Sequence, residues 1–168
     1  MASRPVIGVI GSGRALSDEQ FRLAYEVGKL IARRGAMLVC GGLGGVMEAA
    51  AKGAHEHEGF VIGILPGADR ADANPYVDLA VPTGLGMARN ALVARTADVL
   101  IAFPGAFGTL SEIALALDSG KSVVFFPGAW DLRKAGSTES ARFLEAFDAA
   151  QAVGMALGEI GKKSKKND

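Results

Sequence analysis

The chain has 168 residues, 49% of them apolar, and its 18 basic side chains are balanced by 18 acidic ones. That is length enough for one domain with a buried core, and an apolar content that excludes a disordered chain. Zero formal charge offers no general attraction to nucleic acid or to an anionic membrane, and no run approaches the ~20 apolar residues of a membrane span; neither partner is expected.

The first element is the apolar run PVIGVI (5–10), and the N-terminal stretch around it reads as a strand rather than a signal peptide. Ser17 and Gln20 then make an S-x-x-Q capping box. Leu23, Val27, Leu30 and Ile31 follow as one helical stripe, stopped by Gly35. MLVC (37–40) is the second strand. It holds the single cysteine, Cys40, so no internal disulfide framework exists and a reducing, cytoplasmic location is expected. A helix is predicted over 46–57, then strands FVIGIL (60–65) and LAV (79–81), a helix over about 87–97 and a strand VLIAF (99–103). A helix over 109–119 backed by Gly120 and a strand VVFF (123–126) follow. ARFLEAF offers a last strand, and Asp148 a cap for a final helix to about 160, weakened by Gly154 and Gly158.

Nearly continuous Val, Ile, Leu and Phe runs fit strands covered on both faces. The alternation predicts an α/β fold: one Rossmann-like domain over 1–160 with a doubly wound parallel sheet of about 6–7 strands. The remainder, 161–168, carries four lysines between Lys162 and Lys166 and is expected to be a solvated, disordered basic tail.

Three glycine turns lie between strands and helices. GSGR supplies Gly11, Ser12, Gly13 and Arg14. GGLGGVME supplies Gly41, Gly42, Gly44, Gly45, Met47 and Glu48. PGAFGT supplies Pro104, Gly105, Ala106, Phe107, Gly108 and Thr109. All three fall at the carboxyl ends of strands, the ligand edge of such a sheet. Glycine there lets backbone N–H groups approach a phosphate, and helix N-termini favour its charge. The pattern is neither the dinucleotide fingerprint, because position 16 is Leu, nor a P-loop, because no G-K-[ST] is present. Arg14 either closes over a phosphate or is solvated.

Glu112 ends the third turn, and it reads in two ways. With Thr109 it completes a T-x-x-E capping box. Alternatively it points at the sugar end of a ligand whose phosphate occupies the turn.

Other chemistry is poorly supported. His55 and His57 stand two apart on a helix and do not converge, so no metal site is expected. Lys29, Lys52, Lys121 and Lys134 include none at a strand end facing the crevice, which argues against a Schiff-base lysine.

GGLGGVMEAAAKGA (41–54), GMARN (86–90) and PGAFGTLSEIALAL (104–117) together resemble the Lonely Guy (LOG) superfamily, which has also carried a lysine decarboxylase label and is distantly related to Smf/DprA. ANPYVDLAVPTGLGMARN (73–90) is similar to the branch that includes molybdenum cofactor carrier proteins. The resemblance covers roughly residues 5–130. It implies hydrolysis of the N-glycosidic bond of a nucleoside 5′-monophosphate, with Arg89 and Glu112 catalytic, Asn90 beside them and the phosphate in the glycine turns. The carrier branch implies instead a molybdenum cofactor as bound ligand, with no reaction. Either way no cofactor is required, the ligand is a phosphorylated small molecule, and a homodimer is implied around the helix that begins near Met87. Two positions depart from the LOG pattern: Ala106 replaces a glycine, and Ser111 stands where a glutamate is usual.

Overall fold

The computed structural model describes residues 4–130 and 142–164. The apolar runs form β1 (Val6–Ile10), β2 (Met37–Cys40), β3 (Val61–Leu65), β4 (Leu79–Pro82), β5 (Val99–Ala102), β6 (Val123–Phe125) and β7 (Phe143–Glu145). They pair throughout in parallel as one sheet in the order β4-β3-β2-β1-β5-β6-β7. Between them run α1 (Asp18–Arg33), α2 (Val46–His55), α3 (Asn90–Thr96), α4 (Phe107–Asp118) and α5 (Ala149–Ser164).

The sheet is covered on both faces. Leu100 and Ile101 are neighbours in β5, and both are fully buried. Ile101 packs with the layer built on α1, α2 and α5, and Leu100 with the layer built on α3 and α4. The two-residue period of a strand produces this division. Each such side chain contributes roughly 1.5–3 kcal/mol relative to exposure. The expectation of two-sided burial fails only at the margin. LAV forms the edge strand β4, where Leu79 and Val81 are about two-fifths exposed, because cover is set by neighbours rather than by the run itself.

The capping box of α1 is present: Gln20 N donates to Ser17 Oγ, and Ser17 N donates to Gln20 Oε1. α1 and α2 touch backbone to backbone. A Cβ on Gly28 would lie 1.9 Å from the Ala50 carbonyl oxygen, so only glycine permits this approach. Asp148 accepts from Gln151 N as expected, and α5 continues past position 160 to Ser164. Buried Glu159 fastens α5 to the β6–β7 side, accepting from Ser122 Oγ, Arg142 and Lys162.

Two expected elements are corrected. The helix expected over 87–97 is a 3-10 turn, Gly86–Arg89, followed by α3. The tighter turn leaves Met87 two-thirds exposed while burying Arg89. α4 begins at Phe107, two residues early, capped by Ala106 without a side-chain bond. Thr109 therefore already lies inside the first turn, and the T-x-x-E capping box does not form.

Candidate active site

β1 is where the winding reverses: the chain leaves it for β2 on one side and later pairs β5 on the other. The crevice beyond the carboxyl ends of such strands is the ligand position of open α/β sheets. A cleft of about 170 Å³ lies there. Its walls are Gly11, Ser12, Gly13 and Arg14 after β1, Met47 of α2, and Met87, Arg89 and Asn90. Ala106, Gly108, Thr109 and Glu112 complete it from the start of α4. A second groove, of about 380 Å³, shares Ser12, Arg14 and Ala106 with the first and adds Pro104 and Gly105. Arg14, exposed, therefore borders both.

The loops brace one another. Ser12 N donates to the Pro104 carbonyl, Val46 N donates to the Ser12 carbonyl, and Arg14 N donates to Ser12 Oγ. The α2 N-terminus is thus occupied by a protein oxygen. Accordingly Gly41, Gly42, Gly44, Gly45 and Glu48 do not line the cleft, and neither does Phe107, which is 77% exposed between the lining residues Ala106 and Gly108. The glycines of the second turn serve as a floor. Asn74, buried, donates from its side chain to the Leu43 carbonyl and from its backbone to the Gly42 carbonyl.

Arg89 lies against that floor. A Cβ on Gly41 would stand 2.3 Å from Arg89 Nη1, so the guanidinium occupies the space a side chain would need. Arg89 Nη1 faces Glu112 Oε1 at 3.9 Å, with both residues 7% exposed. This is an ion pair too long to be a hydrogen bond. Arg89 Nε is buried without a hydrogen-bond partner among the described residues. Burial raises the Glu112 carboxyl to about 7, against the lowering pull of Arg89. Burial lowers Arg89 from its ordinary value, and Glu112 opposes that shift. Cys40, also buried nearby, stays a thiol, its pKa raised by burial to about 11.

Asn90 fixes the start of α4. Its Nδ2 donates to Ser111 Oγ at 2.9 Å and to the Gly108 carbonyl at 3.3 Å, and Ser111 Oγ donates to the same carbonyl. Ser111, the second departure from the LOG pattern, is thus a bracing residue. Ala106 has φ −94° and ψ −159°, an extended conformation in which alanine is unstrained.

Met87, expected at the start of a helix around which a homodimer is implied, also walls the cleft; its place two residues before Arg89 in GMARN is the signal in the sequence that could have pointed there. Of the lysines, Lys29 pairs with Glu26, Lys52 stands over the Phe21 and Tyr76 rings, and Lys121 donates to the last carbonyls of the α3 segment. None of these lines the cleft, and Lys134 lies outside the described residues. His55 faces Asp78, and His57 Nδ1 meets the Gly53 carbonyl. Among the described residues no three His, Cys, Asp or Glu side chains gather as a metal site would require, and no helix is long and apolar enough to cross a membrane.

A switch-point cleft walled by glycine turns and closed by a buried Arg–Glu pair is the arrangement of a LOG-type α/β protein. The chain belongs to the SLOG cluster4 family, whose model matches residues 4–157. The molybdenum cofactor binding protein of the phototrophic bacterium Rippkaea orientalis is 36% identical with a TM-score of 0.84, covering 95% of this chain and 99% of that one. The molybdenum cofactor carrier protein of Chlamydomonas reinhardtii is also 36% identical, with a TM-score of 0.83 and the same coverage. The cytokinin riboside 5′-monophosphate phosphoribohydrolase LOG of rice is 33% identical over 107 residues, 61% of this chain but 44% of the enzyme. An uncharacterized protein of Archaeoglobus fulgidus is 49% identical over 117 residues, 70% of this chain and 76% of its own. DNA processing protein A of Helicobacter pylori shares the fold alone, at 19% identity and a TM-score of 0.67 over 92% of this chain and 81% of that one. The resemblance to the LOG superfamily and its carrier branch is borne out.

Proposed function

We propose that the cleft binds a phosphorylated, nucleotide-like small molecule and that Arg89 and Glu112 hydrolyse the N-glycosidic bond of a nucleoside 5′-monophosphate. The observation that carries this reading is the buried Arg89–Glu112 pair, with a carboxyl held near 7. A general base is most effective when its pKa lies near the working pH. In the reaction the C1′–N bond breaks with its electron pair going to the base nitrogen, and water adds to C1′. Glu112 takes a proton from that water, and its carboxylate offsets the oxocarbenium-like charge that develops on the sugar. The departing base is protonated from solvent. Arg89, with Nε unpartnered, offers a cation and a donor to phosphate or sugar oxygens. The extended loop 11–14 and the Gly105–Thr109 turn cradle the phosphate.

A second reading has one observation in its favour: likeness to the two molybdenum cofactor proteins covers 95% of this chain and 99% of theirs, whereas the rice enzyme is matched over less than half its length. In that reading the same cleft holds a molybdenum cofactor, and Glu112 tunes binding without turnover. Incubating the protein with AMP, GMP and IMP and separating products by chromatography decides between them. Free base identifies the hydrolase; intact nucleotides with folded, ligand-binding protein overturn it in favour of the carrier.

We also infer a cytoplasmic homodimer formed across the exposed Leu85, Met87 and Leu92 side chains. Light scattering that returned 17.3 kDa at all micromolar concentrations would refute the dimer.

A further inference from the structure

The rings of Phe107 and Trp130 form an aromatic surface beside the cleft; the proposed phosphate cradle draws on the backbone of the turn that carries Phe107 and not on its ring, and the Arg89–Glu112 pair uses neither ring. Phe107 opens α4, and its chain neighbours Ala106 and Gly108 both line the cleft. Its ring lies against that of Trp130, with centroids 6.0 Å apart and planes inclined by 26°. The Trp130 indole N–H donates to the Gly105 and Ala106 carbonyls at 3.0 and 3.3 Å. The indole is therefore tied to the very turn that closes the cleft. Yet Phe107 is 77% and Trp130 39% exposed, so the core does not explain the pair. Buried Phe103 and Phe126, by contrast, meet inside the core at 4.6 Å.

We propose that Phe107 and Trp130 seat a planar nitrogen heterocycle, a purine or pterin ring, at the end of the ligand opposite its phosphate. The proposal rests on the reading of the cleft as a phosphorylated-ligand site and adds the residues that receive the ligand's other end. Size supports it: a cleft of about 170 Å³ is small beside the roughly 300–1,000 Å³ of common ligand pockets. A nucleotide whose phosphate enters extends past the cleft onto adjoining surface, and the aromatic pair lies on the turn that carries Ala106 and Gly108 of its lining. Orientation supports it too, because two near-parallel rings present faces, the geometry that a further planar ring extends by offset stacking. The indole hydrogen bonds hold that platform in place before any ligand arrives. Stacking accepts any π-face, so the platform selects a class of ring rather than one base.

Trp130 is the only tryptophan, so its emission reports on the platform alone. The experiment titrates the Glu112→Gln protein, in which base release is expected to be slowed by roughly 10²–10⁴, with AMP, GMP, ribose 5-phosphate and inorganic phosphate. Fluorescence and calorimetry are recorded together. AMP and GMP are expected to change Trp130 emission, while ribose 5-phosphate binds and leaves it unaltered. Phe107→Leu is expected to weaken AMP about ten-fold or more without changing ribose 5-phosphate affinity, and Phe107→Tyr to restore it. AMP binding that leaves emission unmoved overturns the proposal, as does a Phe107→Leu effect that is absent or equal for both ligands. Emission that shifts with protein concentration alone also overturns it, by showing that a second copy covers the rings. Failure of ribose 5-phosphate, phosphate and nucleotides alike to bind at millimolar concentration is a different result: it refutes the cleft reading and takes the platform with it.

Discussion

Arg89 and Glu112 stand 3.9 Å apart in a site where each is 93% removed from solvent, and neither reaches the other with a full hydrogen bond. Arg89 Nε, without a partner among the described residues, is the guanidinium donor left for a ligand oxygen in the proposed function. Glu112→Gln keeps the shape and removes the charge. Base release is expected to fall by roughly 10²–10⁴, with AMP binding retained or tightened because a carboxylate no longer opposes the phosphate. Product chromatography and calorimetry on the same preparation test both halves.

The same carboxyl makes stability depend on pH. Its pKa is about 7 folded against an ordinary 4.5, because burial disfavours the charged form. The folded state therefore holds the proton more tightly than the unfolded one. The favourable contribution is complete below about 4.5 and is lost as pH rises through about 7, a change on the order of 3 kcal/mol. Denaturant melts of wild type should show this decline between about pH 4.5 and 7, with a plateau above, and Glu112→Gln should abolish it. A wild-type curve that is flat over this range, or a decline that persists in the variant, refutes the assignment.

Glu159 works in the opposite sense. Burial pushes its carboxyl up, but hydrogen bonds from Lys162 and Ser122 and the charge of Arg142 outweigh burial and hold it below the ordinary value. Its contribution is present above about 4.5 and lost as pH falls through the lowered folded value. Glu159→Gln should lower stability at neutral pH and remove this part of its fall in acid, so that the two proteins converge at low pH, while leaving base release untouched. Acid titration by circular dichroism, paired with the chromatographic assay, checks the separation.

Gly41→Ala probes the floor. The new methyl would sit 2.3 Å from Arg89 Nη1, and the guanidinium, as the free end of a long side chain, must move away. The fold should survive, while kcat/KM, or affinity if the protein is a carrier, falls by about 10²-fold, the scale of a 1 Å misplacement. Gly28→Ala should do the reverse: stability drops by about 1–3 kcal/mol or more through helix overpacking, and ligand affinity of the folded fraction is kept. Melting curves and ligand titrations on the two variants should divide in this way.

Much of this arrangement was legible in the sequence. The period of apolar positions marked the strands and α1, and the Ser17–Gln20 box was written locally. Proximity of Arg89 to Glu112 came only through resemblance, because the two lie on separate turns that the sheet brings together. The T-x-x-E pattern misled, since the turn after β5 becomes helical at Phe107 and carries Thr109 past the capping position. The 41–45 glycines suggested an anion cradle, yet Ser12 and Arg89 fill their space. Local patterns encode what a turn can accommodate, and the fold decides which neighbour accommodates itself there.

Asn74 gives the site an unexpected dependence on the sheet margin. It holds the carbonyls of Gly42 and Leu43 from a segment leading into half-exposed β4. Edge segments open by local fluctuation far more often than central strands do. Fraying at that margin frees the floor beneath Arg89 while β1 and β5 stay closed. Amides of the Asn74 segment are thus expected to exchange with solvent faster than those of β1 and β5, so that the floor beneath Arg89 answers to the periphery of the sheet and not to its centre.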